Sequence, residues 1–361
     1  MTAAAERSTR SLLSIQILRA VAALGVVLAH IFPGAVIGTA GVDLFFVISG
    51  FIMVYASERL FGRRDAPRVF FLRRLARIVP LYWVVTAVLV AYPVLAGVDL
   101  AAVNLTPSVI LGSFAFFPTP RPDGSMLTVH FLGWTLNYEM FFYAVFAGFI
   151  VLSRQRAVAS ITALFVAIVI LGLVFKPPQP LGFWADPIIL EFCFGMLIAS
   201  AYRDGVRLAP AVGASLIVAA AAAFAASAAW GYHLPWRAAE WGLPSAALIA
   251  ACTLSKGSPN LGIVGRAFGF LGDASYSLYL VHFPVFLVDR KAWSLWGPAD
   301  EPWLLALVLF ASSITAAIVV YLFFENPSRK WLQRKIERRS NATLPVGSPL
   351  PTLPSSDHMP R

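Results

Sequence analysis

An arginine and a histidine stand eleven residues apart in one uninterrupted apolar run, Arg19 and His30 in LRAVAALGVVLAH. At about 100° per residue, eleven residues make three turns plus roughly 20°, so the two side chains share a helix face about 16 Å apart. A charged side chain at the centre of a membrane helix costs about 2.5 to 3.5 kcal/mol on insertion scales, which makes Arg19 a candidate functional group. It can pair with a buried carboxylate, bind an anion, or snorkel toward the nearer surface. His30, at the far end of the same run, is either an interfacial residue or a proton acceptor. Asp43 and Ser49 open and close GVDLFFVIS, where Asp43 is either a helix cap or an acidic member of a site. Glu139, flanked by Trp134, Asn137, Tyr138 and Tyr143, lies eight residues into a further apolar run, which points to a wet cavity. It is either a structural partner for an arginine or histidine, or a proton acceptor. The stretch SYSLYLVH places Ser275, Tyr276, Ser277, Tyr279 and His282 on a later helix, as packing contacts or as site residues. His30, His130, His233 and His282 gather toward one half of the membrane, but no two share a metal-ligand spacing, so no metal is expected.

These groups need elements deep in a bilayer to hold them. The 361 residues are 59% hydrophobic and only 13% charged, and the mean hydropathy is +0.76. An ordinary soluble domain carries about a quarter charged residues, so composition gives an all-α polytopic membrane protein. The net charge of +10 does not indicate nucleic acid, because the basic residues are interleaved with spans and share no single solvated face. Cys193 and Cys252 both fall inside apolar segments, which argues against a disulfide framework. The N-terminal MTAAAERSTR lacks a cleavable signal pattern, so the first helix is expected to be its own insertion signal.

Taking apolar runs of about 17 residues or more as spans gives ten, near 12–31, 41–57, 78–97, 131–153, 157–175, 184–202, 208–230, 237–255, 271–288 and 303–323. With both termini cytoplasmic, twenty-two of the 28 Lys and Arg residues fall in cytoplasmic segments and five on the other side, which supports that orientation. The cytoplasmic loop ERLFGRRDAPRVFFLRRLARIVP alone carries seven arginines. It is a topology determinant touching anionic lipid, a phosphate-binding surface built on Arg73, Arg74 and Arg77, or both. Asp273 and Ser275 are expected to cap the entry of the ninth span. The outer loop from Val98 to His130 is long enough to close over a substrate, with a turn at PTPRPDGS. A membrane domain over 1–335 is expected to be followed by a disordered Pro- and Ser-rich tail over 336–361, where the sequon at Asn341 is a chance match.

Together these motifs resemble acyltransferase family 3, membrane O-acyltransferases, in the exopolysaccharide-production, ExoZ-type branch. The resemblance rests on Arg19 and His30, on GVDLFFVISGF from Gly41, FLRRLARIVPLYW from Phe71, WTLNYEMFFY from Trp134, EFCFG from Glu191, LGDASYSLYLVH from Leu271 and FENPSRKW from Phe324. It implies transfer of an acyl group, usually acetyl from cytosolic acetyl-CoA as co-substrate, to a glycan hydroxyl at or across a bacterial inner membrane, with no permanently bound cofactor. It marks His30 as the catalytic histidine, Arg19 as its partner on the same helix, and Asp43 and Glu139 as acidic members of the site. The cytoplasmic Arg73, Arg74 and Arg77 would then hold the donor's phosphates, and Arg19 the pantetheine path or a charge pair. Ser49, Asn137, Tyr138, Ser275, Tyr279 and His282 would support the substrate. The expected partners are acyl-CoA, a glycan or lipid-linked oligosaccharide, and the bilayer; the oligomeric state, a homodimer included, stays open. On physics alone, a transporter or flippase for a glycan-lipid would use the same polar groups.

Overall fold

The computed structural model describes residues 3–95, 97–230, 236–255, 262–298 and 301–342. His233, Lys256 and the chain from residue 343 lie outside the described residues. Fourteen helices follow in order: α1 Ala3–Ile31, α2 Gly41–Ala56, α3 Ala66–Leu95, α4 Pro107–Ala115, α5 Trp134–Phe149, α6 Arg154–Phe175, the short α7 Leu181–Trp184, α8 Leu190–Arg203, α9 Pro210–Trp230, α10 Leu243–Leu254, α11 Gly262–Asp273, α12 Ser275–Trp296, α13 Pro302–Val320 and α14 Asn326–Ala342. No named strand occurs among the described residues; Leu208 and Ser255 form an isolated bridge. An all-helical answer follows from the composition, because in hydrocarbon each backbone N–H and C=O must be satisfied within its own segment.

Among the described residues six helices are long and apolar enough to cross a membrane, and a seventh span arises if α11 and α12, bent by 67° at their junction, count as one. The remaining expected spans fall on shorter helices. A 3-10 turn over Phe131–Gly133 precedes α5, another over Pro187–Ile189 precedes α8, and a π-helical turn over Ala238–Gly242 precedes α10. α2, α5 and α8 are packed inside the bundle, whereas only about a tenth of the most apolar stretch of α9 is buried by protein. A helix surrounded by protein need not match the hydrocarbon thickness alone, since short irregular turns beside it are shielded from lipid.

The deepest helix contact is between α2 and α8. A Cβ on Gly50 would strike the Phe192 carbonyl oxygen, and one on Gly195 would strike the Val47 carbonyl oxygen. The two backbones therefore touch at small residues, as membrane helices do where packing rather than hydrophobic exclusion drives association.

Polar contacts sort the connections onto two faces. Arg154 pairs with Glu58 and Asp204, Arg203 reaches Glu58, the Gly62 N–H donates to Ile150, and the Leu208 N–H donates to Leu254. The connections after α2, α5, α8 and α10 thus meet on one face. On the opposite face, Arg237 bonds Asp43 at the start of α2, the Tyr138 hydroxyl near the start of α5 donates to Phe183, and Phe117 packs on Trp184. The 98–130 loop holds α4, capped by Thr106, and the expected turn, where Asp123 accepts from the Ser125 N–H. α14 continues past residue 335 to Ala342.

Candidate functional site

Inside the bundle, α1, α2, α3, α5 and α12 line a half-open cavity. Reading each helix from face to face orders its lining. Val42, Phe45 and Thr135 mark one end, Ser49, Glu139 and Tyr279 the middle, and Met53, Arg74, Arg77, Arg19 and Ser275 the end nearest the basic loop. Three arginines and a single carboxylate line a mostly apolar space. Charges removed from water need partners, so this wall is complementary to an anion with a slender, largely neutral body.

Arg19 is buried and donates from Nε and Nη2 to the Ser275 hydroxyl, at 3.1 and 2.9 Å. Neither Ser275 nor Asp273 caps α12 as expected: the N-cap position is Ala274, without a side-chain cap, and Asp273 instead accepts from Gln16 Nε2 at 2.6 Å. Both polar groups turn toward α1, because a bend of 67° presents them to that helix rather than to their own backbone. Glu139 Oε1 accepts from Ser49 at 3.0 Å and from the Tyr143 hydroxyl. Two donors fix this carboxylate at mid-cavity. The Tyr279 hydroxyl shares a hydrogen bond with Thr135 at 3.0 Å and donates to the Leu132 carbonyl at 3.2 Å, and the ring meets Phe45 edge-on at 5.9 Å.

His30 does not line this cavity. Its ring lies 5.3 Å from both His282 and Phe131, and His282 in turn lies 6.4 Å from Tyr279. One layer of aromatic rings therefore separates the arginine-lined space from the histidines. Neither Asp43 nor Glu139, expected as acidic members of the same site, bonds to His30; its Nδ1 contacts the Val26 carbonyl at 2.7 Å. A carbonyl only accepts, so the proton is on Nδ1 and the lone pair on Nε2. The same logic puts a proton on His282 Nδ1, which meets the Leu278 carbonyl at 2.9 Å, and on His130 Nε2, which meets the Leu280 carbonyl at 2.8 Å. Among the described residues no group of three potential ligands could hold a metal ion.

Asp43 serves a different pair. Fully buried, it accepts from Arg237 Nε and Nη2 at 2.9 and 2.8 Å, while Arg237 also lies over the Trp241 ring. The α2 N-cap position is Ala40, with no side-chain cap. Arg237 was legible only as one of the few basic residues on the outer side, and its partner lies 194 positions away. Glu191 is buried beside Asp43. Glu325, whose Oε2 accepts from Ser277 at 2.6 Å, also escaped the sequence reading; its one signal was a carboxylate in an apolar run. Of the remaining expected residues, Arg73 lies 3.6 Å from Glu337 outside the cavity, and Tyr138 stacks on Phe183 at 4.2 Å. Asn137 is fully buried with no hydrogen bond to its side-chain amide.

The family model described as "Acyltransferase domain" matches residues 12–322. The chain is 39% identical over 311 residues to the exopolysaccharide production protein ExoZ of Rhizobium meliloti (strain 1021), a match covering 85% of this chain and 94% of that protein. It is 27% identical over 367 residues to acyltransferase MdmB of Streptomyces mycarofaciens, covering 89% of this chain and 87% of that one. No solved structure matches.

Proposed function

The chain belongs to the acyltransferase domain family and is a membrane acyltransferase, and from that premise we propose that it moves an acyl group, acetyl first among candidates, from acyl-CoA to a hydroxyl of an exopolysaccharide or other surface glycan. The observation that carries this reading is the cavity wall of Arg19, Arg74 and Arg77 with Glu139 as its single carboxylate. A donor with a polyanionic head and a slender thioester arm suits that distribution of charge. The resemblance to an exopolysaccharide production protein supports the acceptor class. The reading includes ten crossings with both termini cytoplasmic in a bacterial inner membrane.

In this mechanism the phosphates rest at the Arg74 and Arg77 end and the arm points past Arg19 and Glu139. His30 Nε2 accepts the proton of the glycan hydroxyl as its oxygen bonds to the thioester carbonyl carbon. When the tetrahedral intermediate collapses, the C–S bond breaks and the imidazolium returns the proton to the departing thiolate. A general base of this kind contributes roughly 10²- to 10⁴-fold. Ser49 and Tyr279 face the cavity side, and either would donate to the oxyanion by turning its hydroxyl away from Glu139 or the Leu132 carbonyl. The thioester must pass the Phe45 and Tyr279 rings to reach His30.

Purified protein in lipid nanodiscs, given acetyl-CoA and glycan, is expected to release free CoA only when the acceptor is present. The His30→Ala variant should lose roughly 10²- to 10⁴-fold of that release without losing membrane abundance. Glycan movement without thioester cleavage would overturn the reading in favour of a transporter, and full activity of His30→Ala would remove His30 from it.

A further inference from the structure

Arg74 and Arg77 line the end of the cavity nearest the basic loop, and the same stretch of α3 packs against α14. α14 packs against the first half of α3, and α3 from Ala66 to Leu95 has Arg68, Arg73, Arg74 and Arg77 and no carboxylate. The described side chains of α14 add Arg329, Lys330, Arg334, Lys335 and Arg338 against the single acid Glu337. The two helices run antiparallel: Arg73 lies 3.6 Å from Glu337 at the lower end, while Arg77 and Arg329 sit within Coulombic reach of the same Asp273 at the upper end. Cations outnumber the acids Glu337 and Asp273 along this partly buried seam, so a further anion would be favoured there.

Two unsatisfied donors point the same way. The Nε atoms of Arg74 and Arg329 are both buried and have no hydrogen-bond acceptor. Arg329 makes one side-chain bond, from Nη2 to Asn326 at 3.0 Å, and its Nε donates to neither of the neighbouring carboxylates, Asp273 and Glu325. Buried guanidinium N–H groups of this kind are matched by phosphate oxygens, which accept from the fork in pairs. Arg77 lines the cavity and also faces the seam, so one elongated molecule can reach from the first into the second.

We propose that the α3–α14 seam binds the phosphate groups at the nucleotide end of the acyl-CoA donor, with Arg329 as a phosphate ligand opposite Arg77. This rests on the acyltransferase reading above and adds a helix and a residue to it. α14 thereby becomes the lower wall of the donor site rather than a tail to the last span.

The test compares two donors in nanodiscs, acetyl-CoA and acetyl-pantetheine, which carries the same thioester without the nucleotide or its phosphates. Arg329→Gln is expected to raise KM for acetyl-CoA by tenfold or more with kcat little changed, and to leave acetyl-pantetheine turnover as in the unaltered protein. Equal loss with both donors, or loss with neither, would overturn the proposal. Wild-type protein that uses the two donors equally well would overturn it while leaving the acyltransferase reading intact; turnover of neither donor would bring down that reading first. Repeating the comparison in purely zwitterionic lipid separates the sources of phosphate. The Arg329→Gln effect must persist there, and its disappearance would assign the seam to lipid headgroups.

Discussion

Depth is what makes single residues informative in this chain. Arg19 and Glu139 were singled out because a charge inside an apolar run has few innocuous explanations, and both line the cavity. Asp43 could not be decided locally, for a physical reason. Its type and position fit a helix cap or a catalytic acid equally well, and what decides is a guanidinium far away in sequence. That pairing carries a prediction. Asp43 is fully buried and the Arg237 side chain is 12% exposed, so removing the cation alone strands a carboxylate beside a second buried acid, Glu191. Arg237→Gln is therefore expected to destabilise the protein by about 3 to 5 kcal/mol. Combining it with Asp43→Asn should recover a large part of that loss, because the stranded charge disappears. Thermal unfolding of the two single variants and the double variant in detergent measures this, and strictly additive losses would show that the two side chains are not coupled.

Among the elements, α12 ties the site together. Ser275, Tyr279 and His282 recur at helical spacing along one face, so one helix meets Arg19 at its start, closes the cavity at its second turn and touches His30 at its third. The sequence showed this face as SYSLYLVH, but packing contact and site residue look alike in a string of Ser and Tyr. The bend at Ala274 was not legible at all, since Asp and Ser at a helix entry read locally as caps. The consequence lies with Tyr279. Its ring, with Phe45, stands between the arginine-lined cavity and the histidines, and its hydroxyl is tied to Thr135 and Leu132 at the base of the 98–130 loop. Excluding water from a bound thioester suppresses hydrolysis, in which water attacks the carbonyl and the free acid and thiol leave separately. Tyr279→Ala should raise acceptor-independent CoA release by about tenfold, a barrier change near 1.4 kcal/mol. Tyr279→Phe keeps the ring and should leak little more than the native protein. Both rates come from a thiol-reactive dye without glycan, and equal leakage from the two variants would dissociate the ring from water exclusion.

For the whole molecule, the length and hydropathy of the described helices give six spans, or seven with the bent pair, against the ten expected from apolar runs in the sequence. The gap arises on α5, α8 and α10, which are short because neighbouring helices rather than lipid cover them. Each still joins the two faces. α8 runs from the Phe183 side, where Tyr138 bonds, to Arg203, which meets Glu58, and α10 runs from the turn holding Arg237 down to the Leu208 pairing. Exposed tryptophans mark the face opposite the Arg154–Glu58 pair at Trp230, Trp236, Trp296 and Trp303, where four different segments end or begin, in keeping with an interfacial aromatic belt. These contacts fix which connections share a face, and the arginine bias is the ground for expecting one of those faces to be cytoplasmic. Single cysteines on a background with Cys193 and Cys252 replaced by Ser would read the orientation directly. An impermeant maleimide added to intact cells is expected to label a cysteine at Asp123 and to leave those at Arg64, Arg156 and Arg338 unlabelled until the membrane is opened. Labelling at Arg156 but not Arg64 would break the ion-pair argument, since Glu58 and Arg154 could not then meet. Labelling at all three arginine positions and not at Asp123 would invert the molecule, placing the arginine end of the cavity outside, where no cytosolic thioester could reach it.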